Sequence, residues 1–218
     1  MLKKLFLLLA ILFAAQAPAR AAFRFGLGNA AAKRAAKVMD DAIPKTPVMI
    51  LPIRPLDSVT TGQVIWPYGV QGGGHPNGHP GIDFQTVEGA PIFAAATARV
   101  YKIEDDFTDG SANKLVMFET GSYQIVYTGN LMNLTIAAGD IVVKGQKFAD
   151  LGRFSPRTSS CFMHFGINSN SQQAAVCPYG FFTSESQRQL DVLFALTTYT
   201  EQSQFPLICN PCPAGGCR

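Results

Sequence analysis

The chain has 218 residues, 47% of them hydrophobic and 15% charged, with 18 Lys and Arg against 15 Asp and Glu. Three of those bases, Lys3, Lys4 and Arg20, fall in the first 21 residues, which carry no acid, so the remainder balances at fifteen against fifteen. A balanced chain excludes a protein that binds nucleic acid or another polyanion through a broad basic face. About 195 residues are enough for one sizeable core with appendages.

The first 21 residues read as a secretory signal. Lys3 and Lys4 form a charged start, residues 5–15 an apolar run, and Ala19-Arg20-Ala21 a small-residue cleavage site. The run is shorter than the ~20 residues a spanning helix needs. No cysteine directly follows it, so no lipid anchor is expected, and no stable membrane span is expected after cleavage. The expected location is periplasmic or secreted. Five cysteines, Cys161, Cys177, Cys209, Cys212 and Cys217, suit an oxidising compartment, and the odd count leaves one thiol over.

Residues 29–43 predict a short helix, with Asn29 as cap, an alanine-rich body and Pro44 as stop. Residues 48–53 form an apolar run bounded by prolines, an edge strand or extended lead-in. From about Gly62 the texture becomes that of short strands, expected over 91–95, 98–103, 114–119, 123–127, 141–143, 147–151 and 163–168. Turn signals separate them at Asp109-Gly110, Gly121-Ser122, Gly139-Asp140 and Gly145-Gln146. This spacing predicts a mainly β, antiparallel sandwich or half-barrel with no βαβ rhythm. After Asn168 the strand texture fades. Residues 184–199 predict an amphipathic helix with Leu190, Leu193, Phe194 and Leu196 inward and Ser184 or Ser186 as cap. A Pro-, Gly- and Cys-rich tail follows, in which a disulfide is expected over a zinc cluster.

The stretch with most chemistry is Gly72-Gly73-Gly74-His75-Pro76-Asn77-Gly78-His79-Pro80-Gly81-Ile82-Asp83. It holds two of the three histidines and a carboxylate four residues after His79, while the third, His164, is far downstream. Imidazole and carboxylate are good ligands for a borderline metal such as zinc.

Four motifs in order extend this reading. His79-Pro80-Gly81-Ile82-Asp83 is followed by Gly89-Ala90-Pro91-Ile92-Phe93-Ala94, then by Gly139-Asp140-Ile141-Val142-Val143-Lys144-Gly145-Gln146, then by Met163-His164-Phe165. Together they resemble the lysostaphin/LytM-type zinc metallopeptidases over roughly residues 63–168. The resemblance implies a small antiparallel β-sheet groove of the LytM type, flanked here by a short N-terminal helix, a C-terminal helix and the Cys-rich tail. It implies zinc held by His79, Asp83 and His164, with one position left open for water. It divides the chain into a signal peptide (1–21), a helix and lead-in (22–61), a metallopeptidase-like core (62–170) and a C-terminal extension (171–218).

Two departures bear on activity. Where the family has the first histidine of His-x-His, this chain has Phe162, which should share His164's face because strand residues two apart do. Where the family has Tyr-x-His-Leu, this chain reads Tyr127-Thr128-Gly129-Asn130-Leu131, with no histidine to move a proton. His75 is the foremost substitute base, Tyr127 an oxyanion donor, and Glu88 and Glu119 weaker candidates. Trp66 and Tyr68 flank the glycine loop as groove lining or core. Cys161, at an odd offset from His164, should point to the opposite face and pair with Cys177. The expected function is an exported zinc peptidase acting on peptidoglycan peptide bonds. The alternative is a zinc-binding pseudoenzyme that binds cell-wall peptide or regulates another cell-wall hydrolase.

Overall fold

Strict alternation in one strand organises the molecule. In β10 (Cys161–Ser169), Cys161, Met163, Phe165 and Ile167 are buried, while Phe162, His164 and Asn168 face outward and are half-buried. A strand presents successive side chains to opposite faces, so β10 seals the core with one face and builds a groove with the other. The structure, a computed structural model, describes residues 37–38, 40–53, 63–71, 75–106, 113–153, 161–195 and 207–210. The expected signal peptide, most of the helix expected over 29–43, the turn at Asp109-Gly110 and Cys212 and Cys217 lie outside them.

β10 is flanked on one side by β2 (Gly81–Thr86) and on the other by β6 (Tyr123–Gly129), both antiparallel. The sheet continues outward from β2 to β1 (Gln63–Trp66), and from β6 through β5 (Asn113–Glu119) and β4 (Ala98–Asp106) to β8 (Ile141–Val142). A short β11 (Ala174–Val176) also pairs with β10. A second sheet has the order β3 (Ala90–Phe93), β9 (Lys147–Leu151), β7 (Leu131–Met132). The fold is mainly antiparallel β, as the strand texture predicts.

Between the sheets, the Tyr127 ring packs against Phe118, Phe148 and Phe165 with centroids 5.0, 5.1 and 5.1 Å away. Such pairs add about 0.5–1.5 kcal/mol each beyond their buried area. The lead-in buries Met49, Leu51 and Ile53 and runs extended, with Met49 bridging Phe182.

The helix expected over 184–199 is observed as α1 (Ser184–Ala195) with Leu190 and Leu193 buried; residues 196–199 are outside the described set. Its cap is Thr183, whose Oγ1 accepts from the Ser186 backbone N–H at 3.2 Å, in place of the expected Ser184 or Ser186. Ser186 is buried and accepts from the Thr183 hydroxyl instead. The fading of strand texture after Asn168 is corrected by β11. Its Ala-Ala-Val is too short to show alternation and is held in place by the ladder to Ile167, Asn168 and Ser169.

The expected Cys161–Cys177 pairing is also corrected. Cys177 is bonded to Cys209, with Cα atoms 5.8 Å apart. Cys161 sits in β10 on the core side, opposite Thr86, and β11 carries Cys177 away from it toward the tail.

Candidate metal centre

Four strands bring the site together. The register pairs His164 of β10 directly with Asp83 of β2 and with Thr128 of β6, and Asp83 in turn with Trp66 of β1. Trp66, Asp83, His164 and Thr128 therefore form one row across the outward face. His79 reaches the row from the loop ahead of β2. Its own backbone is locked there, with His79 N–H donating to Val70 O at 2.8 Å and Gly69 N–H donating to His79 O at 2.9 Å.

The outcome is a triangle of atoms with electron pairs to share. His79 Nε2 lies 2.9 Å from His164 Nδ1 and 3.2 Å from Asp83 Oδ1, and His164 Nδ1 lies 3.0 Å from Asp83 Oδ1. Tetrahedral zinc with ligands at 2.0–2.1 Å needs ligand atoms about 3.3–3.4 Å apart. The observed edges fall just inside that, so a small outward relaxation accommodates the ion.

Two further features fit a metal. His79, 1% exposed, has its other ring nitrogen, Nδ1, 3.2 Å from Pro67 O. A carbonyl cannot donate, so Nδ1 carries the proton and Nε2 keeps its lone pair for a ligand bond. The second feature is the space left for the His164 ring. A Cβ on Gly81 would stand 2.6 Å from His164 Cε1 and 2.8 Å from Nε2, and one on Gly166 would stand 3.3 Å from Nε2. Glycine at these two cross-strand partners leaves the imidazole the space it occupies beside the ladder.

Electrostatics follow the geometry. Burial pushes the Asp83 carboxyl up, but the His164 and His79 imidazoles beside it outweigh this and hold the group well below the usual carboxylate range. Asp83 thus stays anionic over the whole working pH range, as a candidate metal ligand requires.

His75 is brought to the site. Its ring centroid is 5.0 Å from that of His79, at the head of a turn closed by Gly78 N–H donating to His75 O at 3.1 Å. Pro at the second position and Gly at the fourth suit this turn. Burial first, then the neighbouring His79 and His164 charges, push the His75 imidazole below its ordinary value, with Asp83 opposing.

Tyr127 is not brought to the site. It faces the core with Phe165, its hydroxyl accepting from Ala95 N–H at 2.8 Å and donating to Phe93 O at 3.4 Å. Burial pushes its phenol far up. Glu88 pairs with Arg153 at 2.8 Å on the surface. Glu119 sits beside Gln124, at the rung of β10's Asn168 and two rungs from His164. Tyr68 is buried, with its hydroxyl on Ala175 O, whereas Trp66 stands edge-on to His79 at 6.4 Å. Phe162, opposite Gln85, lies on the outward, His164 side of β10.

From the metal triangle a groove of about 610 Å³ runs along β6, β10 and β11, lined by residues that include Gln124, Val126, Thr128, Gly166, Asn168 and Ala174. Apart from His164 its lining is neutral. Sequence reading missed these groove positions and the Pro67 carbonyl. The alternation of 123–129 and 161–169 would have revealed the former; a backbone carbonyl leaves no mark in a sequence.

Several known proteins are similar to part of this chain. An "Uncharacterized lipoprotein YgeR" of Escherichia coli (strain K12) is 32% identical over 108 residues, 50% of this chain and 40% of that protein. An "Uncharacterized metalloprotease" of Haemophilus influenzae is 32% identical over 95 residues, 43% of this chain and 19% of that protein. The chain thus spans well under half the length of these relatives. Among solved structures, the catalytic domain of the antimicrobial peptidase lysostaphin from Staphylococcus simulans overlays 53% of this chain and 88% of its own, with 22% identity and a TM-score of 0.45. Residues 77–176, from the turn ahead of His79 to the end of β11, match the model of Peptidase family M23.

Proposed function

We propose that this protein is an exported zinc-dependent peptidase that cuts peptide bonds of bacterial peptidoglycan. The observation that carries the reading is the convergence of His79 Nε2, His164 Nδ1 and Asp83 Oδ1 to 2.9–3.2 Å at the end of an open groove. A zinc ion on these three atoms supplies Lewis acidity, polarising a scissile carbonyl and acidifying water.

The chain's own residues do the rest. The rungs Thr128–His164, Val126–Gly166 and Gln124–Asn168 step outward along the groove, about 6.7 Å apart by strand geometry, the spacing of alternate side chains in an extended peptide. Such a peptide meets a small, neutral floor, with the Gln124 and Asn168 amides available to its backbone. His75 takes the proton from the attacking water on a ring nitrogen and returns it to the leaving amine. The charged and apolar leader directs the protein out of the cytoplasm, and the name of the Haemophilus influenzae relative accords with a metallopeptidase.

A second reading is favoured by Phe162 and Asn130. No histidine stands at either position of the missing pair, and Asn130 is engaged structurally, its Nδ2 donating to Arg153 O at 2.7 Å. On that reading the domain binds zinc and cell-wall peptide without turnover. Metal content of the mature protein, and release of soluble fragments from peptidoglycan by wild type and His79→Ala, separate the two. Zinc with turnover that His79→Ala abolishes supports the peptidase. Stoichiometric zinc with no turnover supports the second reading, and no zinc defeats both.

A further inference from the structure

The carbonyl that sets the proton on His79 belongs to a peptide unit gripped from elsewhere in the chain. Pro67 C=O and Tyr68 N–H share one planar, trans peptide unit, so their bonds point in opposite directions. Tyr68 N–H donates to Ile208 O at 3.0 Å. On the next unit, Tyr68 O accepts from Asn210 N–H at 2.9 Å and from Asn210 Nδ2 at 3.3 Å. The Tyr68 hydroxyl donates to Ala175 O at 2.9 Å.

These contacts come from both arms of a single staple. Ile208 and Asn210 flank Cys209, Ala175 lies two residues before Cys177, and the two cysteines are bonded across a separation of 32 residues. Gly69 admits the close approach: a Cβ there would stand 2.1 Å from Asn210 O.

We infer that segment 207–210, held by the Cys177–Cys209 disulfide, is a positioning element for His79, aiming the Pro67 carbonyl at His79 Nδ1 so that Nε2 faces the metal position. The inference rests on the metal-centre reading for its purpose, but its geometry stands in the metal-free protein. Aiming Tyr68 N–H at Ile208 fixes where Pro67 O points, because the peptide plane cannot twist between them. The disulfide keeps segment 207–210 at high local concentration beside Tyr68. When the bond is opened, the hydrogen bonds to Tyr68 and the buried Ile208 side chain must hold segment 207–210 against its chain entropy. Outer partners of metal-binding histidines typically control 10–100-fold in metal affinity.

The test uses the mature chain as wild type, as the Cys177→Ser/Cys209→Ser double variant, and as Tyr68→Phe, which keeps the disulfide and removes the hydroxyl that grips Ala175. Long-range nitrogen–proton correlation spectra of metal-free, nitrogen-15-labelled protein report the His79 tautomer. Zinc affinity follows from competition with a chelator. Val142→Ala, in β8 at the sheet's far edge, is the control for loss of stability alone.

Wild type should show His79 protonated at Nδ1. The double variant should show mixed tautomers and bind zinc about 10–100-fold more weakly, with Tyr68→Phe shifted the same way by less. Val142→Ala should melt earlier with its tautomer unchanged. A folded double variant with the wild-type tautomer and zinc affinity within twofold overturns the inference, as does an equal tautomer shift in Val142→Ala. If the double variant does not fold, an unchanged tautomer in Tyr68→Phe overturns it. Wild type that binds no zinc defeats the metal-centre reading, while the tautomer still decides this one.

Discussion

Gly81→Ala tests whether the metal triangle depends on how closely β2 and β10 approach. A Cβ at Gly81 would stand 2.4 Å from Phe165 O, 2.6 Å from His164 Cε1 and 2.8 Å from His164 Nε2. Ordinary non-bonded contact begins near 3.5 Å, so the ring must withdraw by about 0.7–0.9 Å, or the ladder must open. Overpacking of this kind costs about 1–3 kcal/mol, which lowers the melting temperature by about 2–12 °C in a chain of this size. Metal sites tolerate only about 0.2 Å of ligand displacement, so zinc affinity should also fall at least ~10-fold. Gly89→Ala is the matching control: its φ is +80° but nothing lies within 4 Å of the added Cβ. It should cost about 1–2 kcal/mol in backbone strain and leave zinc untouched. Thermal melts and chelator competition on both variants decide the matter. A Gly81→Ala protein with wild-type melting and zinc affinity would refute the reasoning.

Phe162→His places an imidazole on His164's face of β10; if a proton-handling group limits turnover, release of soluble peptide from peptidoglycan should rise by up to ~10²–10⁴-fold, and zinc retention without any rise would show that the limit lies elsewhere. Tyr127→Phe leaves the Ala95 N–H without its acceptor and should cost about 1–3 kcal/mol in denaturant melts with zinc affinity and any turnover per folded molecule unchanged; a selective loss of turnover would return Tyr127 to the active site. Asp150 is held below its ordinary value by hydrogen bonds from Lys147 and Asn133. A depressed carboxyl stabilises above its unfolded value near 4 and loses that contribution as pH falls through the folded one. Stability curves of Asp150→Asn should therefore be flatter than wild type below about pH 4; identical slopes would show that the pair with Lys147 is open in solution.

What was legible in the chain follows a physical division. Strands that alternate cleanly, such as 123–129 and 161–169, announce themselves because one face is buried and the other is not. The strand Gly81–Thr86 was hidden because its residues also carry the metal motif, so Gly81 and Asp83 read as loop chemistry. β11 was hidden because three small residues have no period, and only the partner strand decides their state. Cysteine pairing was misjudged for a related reason: alternation places the Cys161 side chain toward the core, but which cysteine meets Cys177 depends on the path of the tail, a tertiary fact. Tyr127, expected near the site because it stands beside the position of a missing histidine, faces the core, since its odd offset from Thr128 turns it to the other side of β6.

The same division separates the candidate metal ligands from the groups expected to move protons. Asp83 and His164 are direct partners on a central ladder, so their side chains are fixed by sheet register and by the space at Gly81 and Gly166. The positions where the family carries its proton-moving histidines lie at strand ends, Phe162 one residue into β10 and Gly129 and Asn130 at the close of β6. There Asn130 makes connections: its O accepts from Gly152 N–H at 2.7 Å and its Nδ2 donates to Arg153 O, tying the end of β6 to the end of β9. A site built this way keeps its metal geometry for as long as the sheet is folded, whatever happens to turnover. On the proposed peptidase reading, proton transfer falls to His75, the remaining one of the chain's three histidines, whose ring centroid lies 5.0 Å from that of His79.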